Sequence, residues 1–203
     1  MRGRRICTLL CPTSLRGSDG QSLIEFAVAL PLVLMLTLGV VEVGYFLLDQ
    51  HIVTKMTREG SNLISRNTTL QDASVALGTM SSRPVNFSSG SKVIFSVIRN
   101  VETTGTSNYG KPILYQRYEY GTLGASSKIT TRGSGSFGTG PEYTAINANS
   151  DTNLQITNMP PGLGMTIGGL LYVTELYSTH PIITPFDRIG VKVPSRLYSI
   201  AYF

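Results

Sequence analysis

Residues 23–48 have the sequence LIEFAVALPLVLMLTLGVVEVGYFLL, and this apolar stretch decides how the chain is anchored. Its central part, residues 26–41, has no charged side chain, and Glu25 and Glu42 stand on either side of it. As an α-helix the stretch extends about 39 Å, more than the roughly 30 Å hydrocarbon core of a bilayer. Few globular helices are apolar on every face over such a length. The stretch therefore predicts a membrane-spanning helix rather than the core helix of a soluble protein.

Positive charge is concentrated ahead of this stretch, in residues 1–20, which carry four arginines and one acid. Such a distribution favours a cytoplasmic N-terminus and an exported C-terminal part. Both cysteines, Cys7 and Cys11, lie in the same leader. Its removal would leave a chain without a thiol and with nearly balanced charge, which excludes disulfides and cysteine-ligated zinc. The remainder has no basic run, so the composition does not indicate nucleic-acid binding.

Gly20 ends this leader, and Glu25 follows five residues later at the edge of the apolar helix. Glycine allows an extended backbone to enter a protease site. A carboxylate at membrane depth is costly unless it is paired. Cleavage after Gly20 would free the amine of Gln21, which is a suitable partner for Glu25 of the same or a neighbouring subunit.

Gly20, Glu25 and Phe26 together resemble the processing site of type IV-type prepilins, most closely the Flp branch. The longer pattern over residues 20–63 is similar to the TadE/TadF-like minor pseudopilins of the tight-adherence (Tad) pilus. The matching positions are Gly20, Glu25, Phe26, Pro31, Glu42, Gly44, Arg58, Glu59 and Gly60.

The resemblance implies a structural subunit that is the substrate of a prepilin peptidase and is not itself an enzyme. The implied partners are other pilin and pseudopilin subunits, the inner-membrane pilus assembly platform and membrane lipid. The implied location is the bacterial inner membrane, in a single pass with the C-terminal domain exported, followed by incorporation into an extracellular pilus for surface adherence.

Three positions within and after the apolar run have roles that the residues leave open. Pro31 removes a helical hydrogen bond and predicts a kink, which is either a bend used in subunit packing or a tolerated membrane proline. Glu42 either faces partner subunits or lies at the outer membrane interface. Gly44 is assigned to helix packing by the resemblance alone.

The rest of the chain predicts an α+β fold, with a mostly antiparallel sheet of about four strands packed on the exported half of the helix. We expect a leader over residues 1–20, a helix over 21–66 and an exported domain over 67–203. Within that domain the pattern predicts a second helix and four strands, at residues 71–80, 92–101, 113–120, 169–179 and 196–203.

A long segment, residues 121–168, separates the second and third strands and is rich in Gly, Ser, Thr and Asn. Loops of this length are either functional or mobile. The segment is therefore a contact surface for a partner or a mobile connection, with short edge strands at residues 128–131 and 153–157.

The sequence offers no set of residues for catalysis, a metal or a cofactor. His51 and His180 have no metal-ligand spacing, and the glycines at 133, 135 and 138 match a dinucleotide motif without its strand and helix. Two alternatives remain: an uncleaved, single-span membrane protein whose exported domain binds a ligand, and a minor pseudopilin of a type II secretion system.

Overall fold

A computed structural model of the protein describes residues 18–190, 192 and 194–203. The predicted leader arginines and both cysteines lie outside the described residues. The chain divides into two compact units, Met1–Val41 and Glu42–Phe203.

The first helix, α1, runs from Ser18 to Ser65 and continues through Pro31. Between residues 20 and 41 every side chain is exposed except at Gly39, which is half-buried. The segment Gly20–Ser65 is long and apolar enough to cross a membrane. The predicted N-terminal apolar helix is therefore confirmed, and it ends within one residue of the predicted position.

The second unit contains the end of α1, a short helix and a four-stranded sheet. Helix α2 (Leu70–Met80) is N-capped by Thr69, whose hydroxyl accepts a hydrogen bond from the backbone N–H of Asp72 at 3.1 Å. The sheet has the order β2-β1-β3-β4 with antiparallel neighbours throughout. The elements are α2 (Leu70–Met80), β1 (Ser91–Asn100), β2 (Pro112–Gly121), β3 (Leu170–Thr179) and β4 (Arg196–Tyr202). This architecture confirms the predicted α+β class and settles the strand order, which the sequence left open.

One face of the sheet packs on the two helices. The buried residues of this core come from α1, α2 and alternate positions of the strands, among them Val53, Met56, Leu77, Phe95 and Leu176. The alternation of β1 accounts for the two faces, because successive strand residues point to opposite sides of a sheet.

The other face of the sheet is covered by the long connection between β2 and β3, residues 122–169. Because β3 pairs with β1 rather than β2, this connection has to cross the sheet. Its side chains Ile129, Ile156 and Met165 pack on Ile98 and Val173. The predicted edge strands form isolated bridges, such as Thr131 with Ile156, rather than full strands.

A buried acid on β3 fastens this connection to the sheet. The Glu175 carboxylate is fully buried and accepts the Lys128 backbone N–H at 2.7 Å and the Tyr198 hydroxyl at 3.2 Å. It also accepts the hydroxyl of Ser127. Arg117 in turn donates to Ser127 Oγ at 3.0 Å, so this loop residue is bonded to both β2 and β3. Burial raises the pKa of Tyr198, and the negative charge of Glu175 adds to that effect.

Candidate functional site

The predicted processing site lies in the first turns of α1. Gly20 is surrounded by open space, and Phe26 is exposed. The side-chain amide of Gln21 donates to the Glu25 carboxylate at 3.0 Å, across one turn of the exposed helix surface. Gln21 and Glu25 are thus within hydrogen-bonding distance of each other.

Pro31 and Gly44 make no distinctive contact with the described residues. Helix α1 continues without a break through Pro31. A Cβ on Gly44 would meet nothing within 4 Å, so this glycine leaves a surface open on its own chain.

Glu42 has a defined environment that the sequence did not indicate. It lies in a buried cluster with Asp49, two turns further along the same face of α1, and with His180, the residue after β3. Asp49 Oδ2 is 2.7 Å from His180 Nδ1, and Glu42 Oε1 is 3.3 Å from His180 Nε2. One imidazole ring is therefore bonded by two carboxylates.

The two carboxylates determine the charge of this cluster. A neutral imidazole has one N–H donor and one lone pair, so it can satisfy only one of the two acids. Both contacts are favourable only if the ring carries two protons or if one carboxyl group is protonated. In either case the cluster carries one net negative charge.

The remaining contacts of Glu42 fix the segment that follows β3. The Glu42 carboxylate accepts the backbone N–H of Thr184 at 3.0 Å and that of Ile183 at 3.3 Å. The rings of Phe46 and His180 pack edge-on, with 5.4 Å between their centroids. The cluster thus connects α1 to residues 181–184, which we call the strap.

The segment Arg58-Glu59-Gly60 divides between two faces of α1. Arg58 is exposed and Glu59 is half-buried. Gly60 faces the sheet, where an added Cβ would lie 2.8 Å from Thr174 Cγ2 and 3.2 Å from Phe95 Cε1. Glycine at this position allows the helix to approach the sheet closely. Next to it, Ser61 Oγ donates to the Ala201 carbonyl of β4 at 3.1 Å.

Sequence reasoning missed the Glu42 cluster because its third member is far along the chain. The spacing of seven residues between Glu42 and Asp49 was a usable signal, since it places both acids on one helical face. The position of His180 beside them follows only from the sheet order. Among the described residues, no group of three His, Cys, Asp or Glu side chains has the arrangement of a metal site.

The exposed apolar N-terminal helix, followed in the chain by a small α+β domain, supports a membrane-anchored protein. Residues 20–62 match the family model described as TadE-like protein, which bears out the resemblance over this segment and supports a protein associated with the Tad pilus. Searches of the curated proteins and of the solved structures found no match.

Proposed function

We propose that this chain is a minor pilin-like subunit that takes part in assembling a Tad-type pilus or in its function. The observation that carries this proposal is the coincidence of the family match at residues 20–62 with an exposed apolar helix that presents Glu25. A helix with an exposed apolar surface needs lipid or other apolar helices around it. Both environments are met successively by a subunit that moves from a membrane into a fibre.

In the proposed mechanism a prepilin peptidase cuts between Gly20 and Gln21, which removes the basic leader. The new amine of Gln21 then pairs with a Glu25 carboxylate. The carboxylate is one turn away in its own helix, and its side chain is exposed to neighbours. A neighbouring amine at Glu25 would neutralise the acid at membrane depth and set the axial register of two subunits.

In the proposed orientation, the N-terminus is cytoplasmic and residues 67–203, with the end of α1, are exported. The partners are other pilin and pseudopilin subunits and the inner-membrane assembly platform. The chain is then a structural component and a substrate of the peptidase.

N-terminal sequencing of the membrane-extracted protein tests the processing step, and the expected first residue is Gln21. A mature chain that retains residues 1–20 would instead support the uncleaved, membrane-anchored binding protein. A purified pilus fraction is probed for the chain in parallel, because incorporation is a separate claim from cleavage.

Glu25→Ala tests the pairing step. The variant should insert into the membrane and be cut normally but should be missing from assembled pili. Glu102→Ala is the matched control, because it removes an exposed acid that lies outside the apolar run and outside the matching positions. Normal incorporation of the Glu25→Ala chain would contradict the pairing mechanism.

A further inference from the structure

The second unit has an unusual surface where its first helical turns begin. On one side of α1, Glu42 and Asp49 are buried, Glu42 against Thr184 of the strap and Asp49 against His180. On the other side, the large apolar residues of the same turns are exposed, among them Val43 at 58% and Leu47 at 60%. These turns therefore belong to the folded domain and at the same time present apolar surface outward.

The strap contributes to the same end of the domain. Ile183 donates its backbone N–H to Glu42, so it lies beside the first of these turns, and its side chain is 47% exposed. Pro181, two residues earlier, is also exposed. An exposed isoleucine on a connection fixed by a buried acid enlarges the apolar surface beyond the helix itself.

Basic residues begin where this apolar surface stops. His51, Lys55 and Arg58 follow Leu47 at intervals of four, four and three residues, which keeps them on one face of the helix. All three are exposed, and with Thr54 and Glu59 they line an open groove of about 360 Å³. None of the three makes an ion pair or a side-chain hydrogen bond with any residue that the structure describes.

We propose that this end of the domain rests in the interface of an anionic bilayer. Val43, Leu47 and Ile183 enter the acyl boundary, and Lys55 and Arg58 bind lipid phosphates. Val43 and Leu47 belong to the apolar run of residues 23–48 that predicts a membrane span, so lipid is the medium already expected next to them. The inference rests on the proposed membrane anchoring, but it concerns the folded domain and requires neither cleavage nor a pilus.

The dimensions of the helix agree with this placement. Lys55 lies about 12 Å beyond Leu47 along the axis, at about 1.5 Å per residue. Helical side chains lean toward the N-terminus, and long cationic side chains extend their charge to the interface while the stem stays against apolar surface. Lys55 and Arg58 therefore lean back toward the phosphates just outside the hydrocarbon. Cations on the exported flank of a span oppose the usual charge rule, and lipid phosphate gives them a counter-charge.

The test uses the full chain with Cys7→Ser and Cys11→Ser, reconstituted into phosphatidylcholine vesicles with and without phosphatidylglycerol. A fluorophore is attached at Ile183→Cys, and its depth is measured by quenching with brominated lipids. Thr104→Cys is the matched control, since the β1–β2 turn lies at the opposite end of β1 from the strap and Thr104 is exposed. We expect strong quenching at position 183 and almost none at position 104.

A third label distinguishes failure of the anchor from failure of this inference. Leu36→Cys, in the exposed apolar part of α1, should be quenched deeply. Without quenching at position 36, the membrane anchoring itself is wrong. If the label at position 36 is quenched but the labels at 183 and 104 are equally and weakly quenched, the membrane anchoring is supported. The interfacial placement of the domain is then overturned.

The charge requirement is tested by Lys55→Gln with Arg58→Gln. Each cation near an anionic surface contributes about fivefold to association, so the variant should lose the increase in quenching at position 183 that phosphatidylglycerol causes. An unchanged response to phosphatidylglycerol overturns the phosphate contacts. Concentration-dependent crosslinking through Arg58→Cys, without any effect of lipid charge, would show instead that the groove binds a second copy of the chain.

Discussion

The two halves of α1 differ in a way that their composition does not suggest. Residues 20–41 are almost entirely apolar, yet their side chains are exposed apart from half-buried Gly39. Residues 42–65 contain acids, bases, threonines and serines, yet one face of them forms part of the domain core. The difference shows that burial in a protein follows from having a partner element, and that an apolar helix without one requires lipid or another subunit.

The same comparison applies to the two acids that bracket the apolar run. Among the residues that the structure describes, Glu25 is bonded only to Gln21, at the surface, whereas Glu42 is buried and bonded to three groups: His180 and the backbone N–H groups of Ile183 and Thr184. Glu25 is therefore free to act between subunits, and Glu42 is committed to the fold of its own domain. Matched substitutions in the two halves test this distinction.

The largest effect is expected for Glu42→Ala compared with Glu25→Ala. Loss of Glu42 leaves two backbone N–H groups unpaired and His180 bonded to one acid, which should lower the free energy of unfolding by about 3–5 kcal/mol. Glu25→Ala should leave it unchanged. Denaturation in detergent micelles, followed by tyrosine near-UV circular dichroism, measures this unit alone, because every tyrosine lies between residues 45 and 202. Equal losses of unfolding free energy for the two substitutions would contradict the difference in role between Glu42 and Glu25.

A smaller effect is expected for Val53→Ala compared with Val33→Ala. Val53 is fully buried against the sheet, whereas Val33 is 54% exposed. Truncating Val53 removes buried apolar surface and leaves a cavity, at a cost of roughly 2 kcal/mol. The same denaturation experiment should show no change for Val33→Ala. A comparable loss from Val33→Ala would mean that residues 20–41 do contribute to the stability of the domain.

The two glycines of the second half should respond in opposite directions. Gly60→Ala places a methyl group against Thr174 and Phe95, and even after the gain in helix propensity it should cost about 1 kcal/mol. Gly44→Ala meets open space and should be neutral or stabilising by up to about 1 kcal/mol. The midpoint of thermal unfolding should fall for the first variant and not for the second. A higher unfolding midpoint for Gly60→Ala would show that the helix can move away from the sheet without a loss of stability.

The smallest effect concerns the loop-covered face of the sheet, which contains no part of α1. Burial and the charge of Glu175 raise the pKa of Tyr177, so the folded state keeps this proton at a pH where the unfolded chain loses it. The stabilisation is complete below pH 10 and declines as pH rises above that value. Tyr177→Phe should flatten this alkaline decline, and Tyr109→Phe, at an exposed position, should not. An identical slope in all three chains would show that Tyr177 does not titrate differently on folding.

Local patterns were sufficient for the elements of this fold. Helix α1 begins three residues before its predicted start. Its other end and the ends of α2 and all four strands lie within one residue of their predicted positions, because each has a periodicity or a boundary residue such as Thr69 that acts over a few positions. The strand order could not be predicted from these local patterns. Any two of the four strands could pair through their backbone hydrogen bonds, and contacts between distant segments decide which of them do. For the same reason the predicted loop of residues 121–168 became the cover of a sheet face, fixed by Glu175.

For the candidate site, the sequence by itself determined the apolar run, the position of Glu25 beside Gln21 and the possibility of a cut after Gly20. These features depend on neighbouring residues, whose spacing is set by the covalent chain. Only the tertiary structure decided that Glu42 meets His180, that Gly60 faces Thr174, and that Ile183 joins the exposed apolar end of the domain. Those contacts join residues more than one hundred positions apart, and their energy becomes available only when the sheet and the helix are packed together.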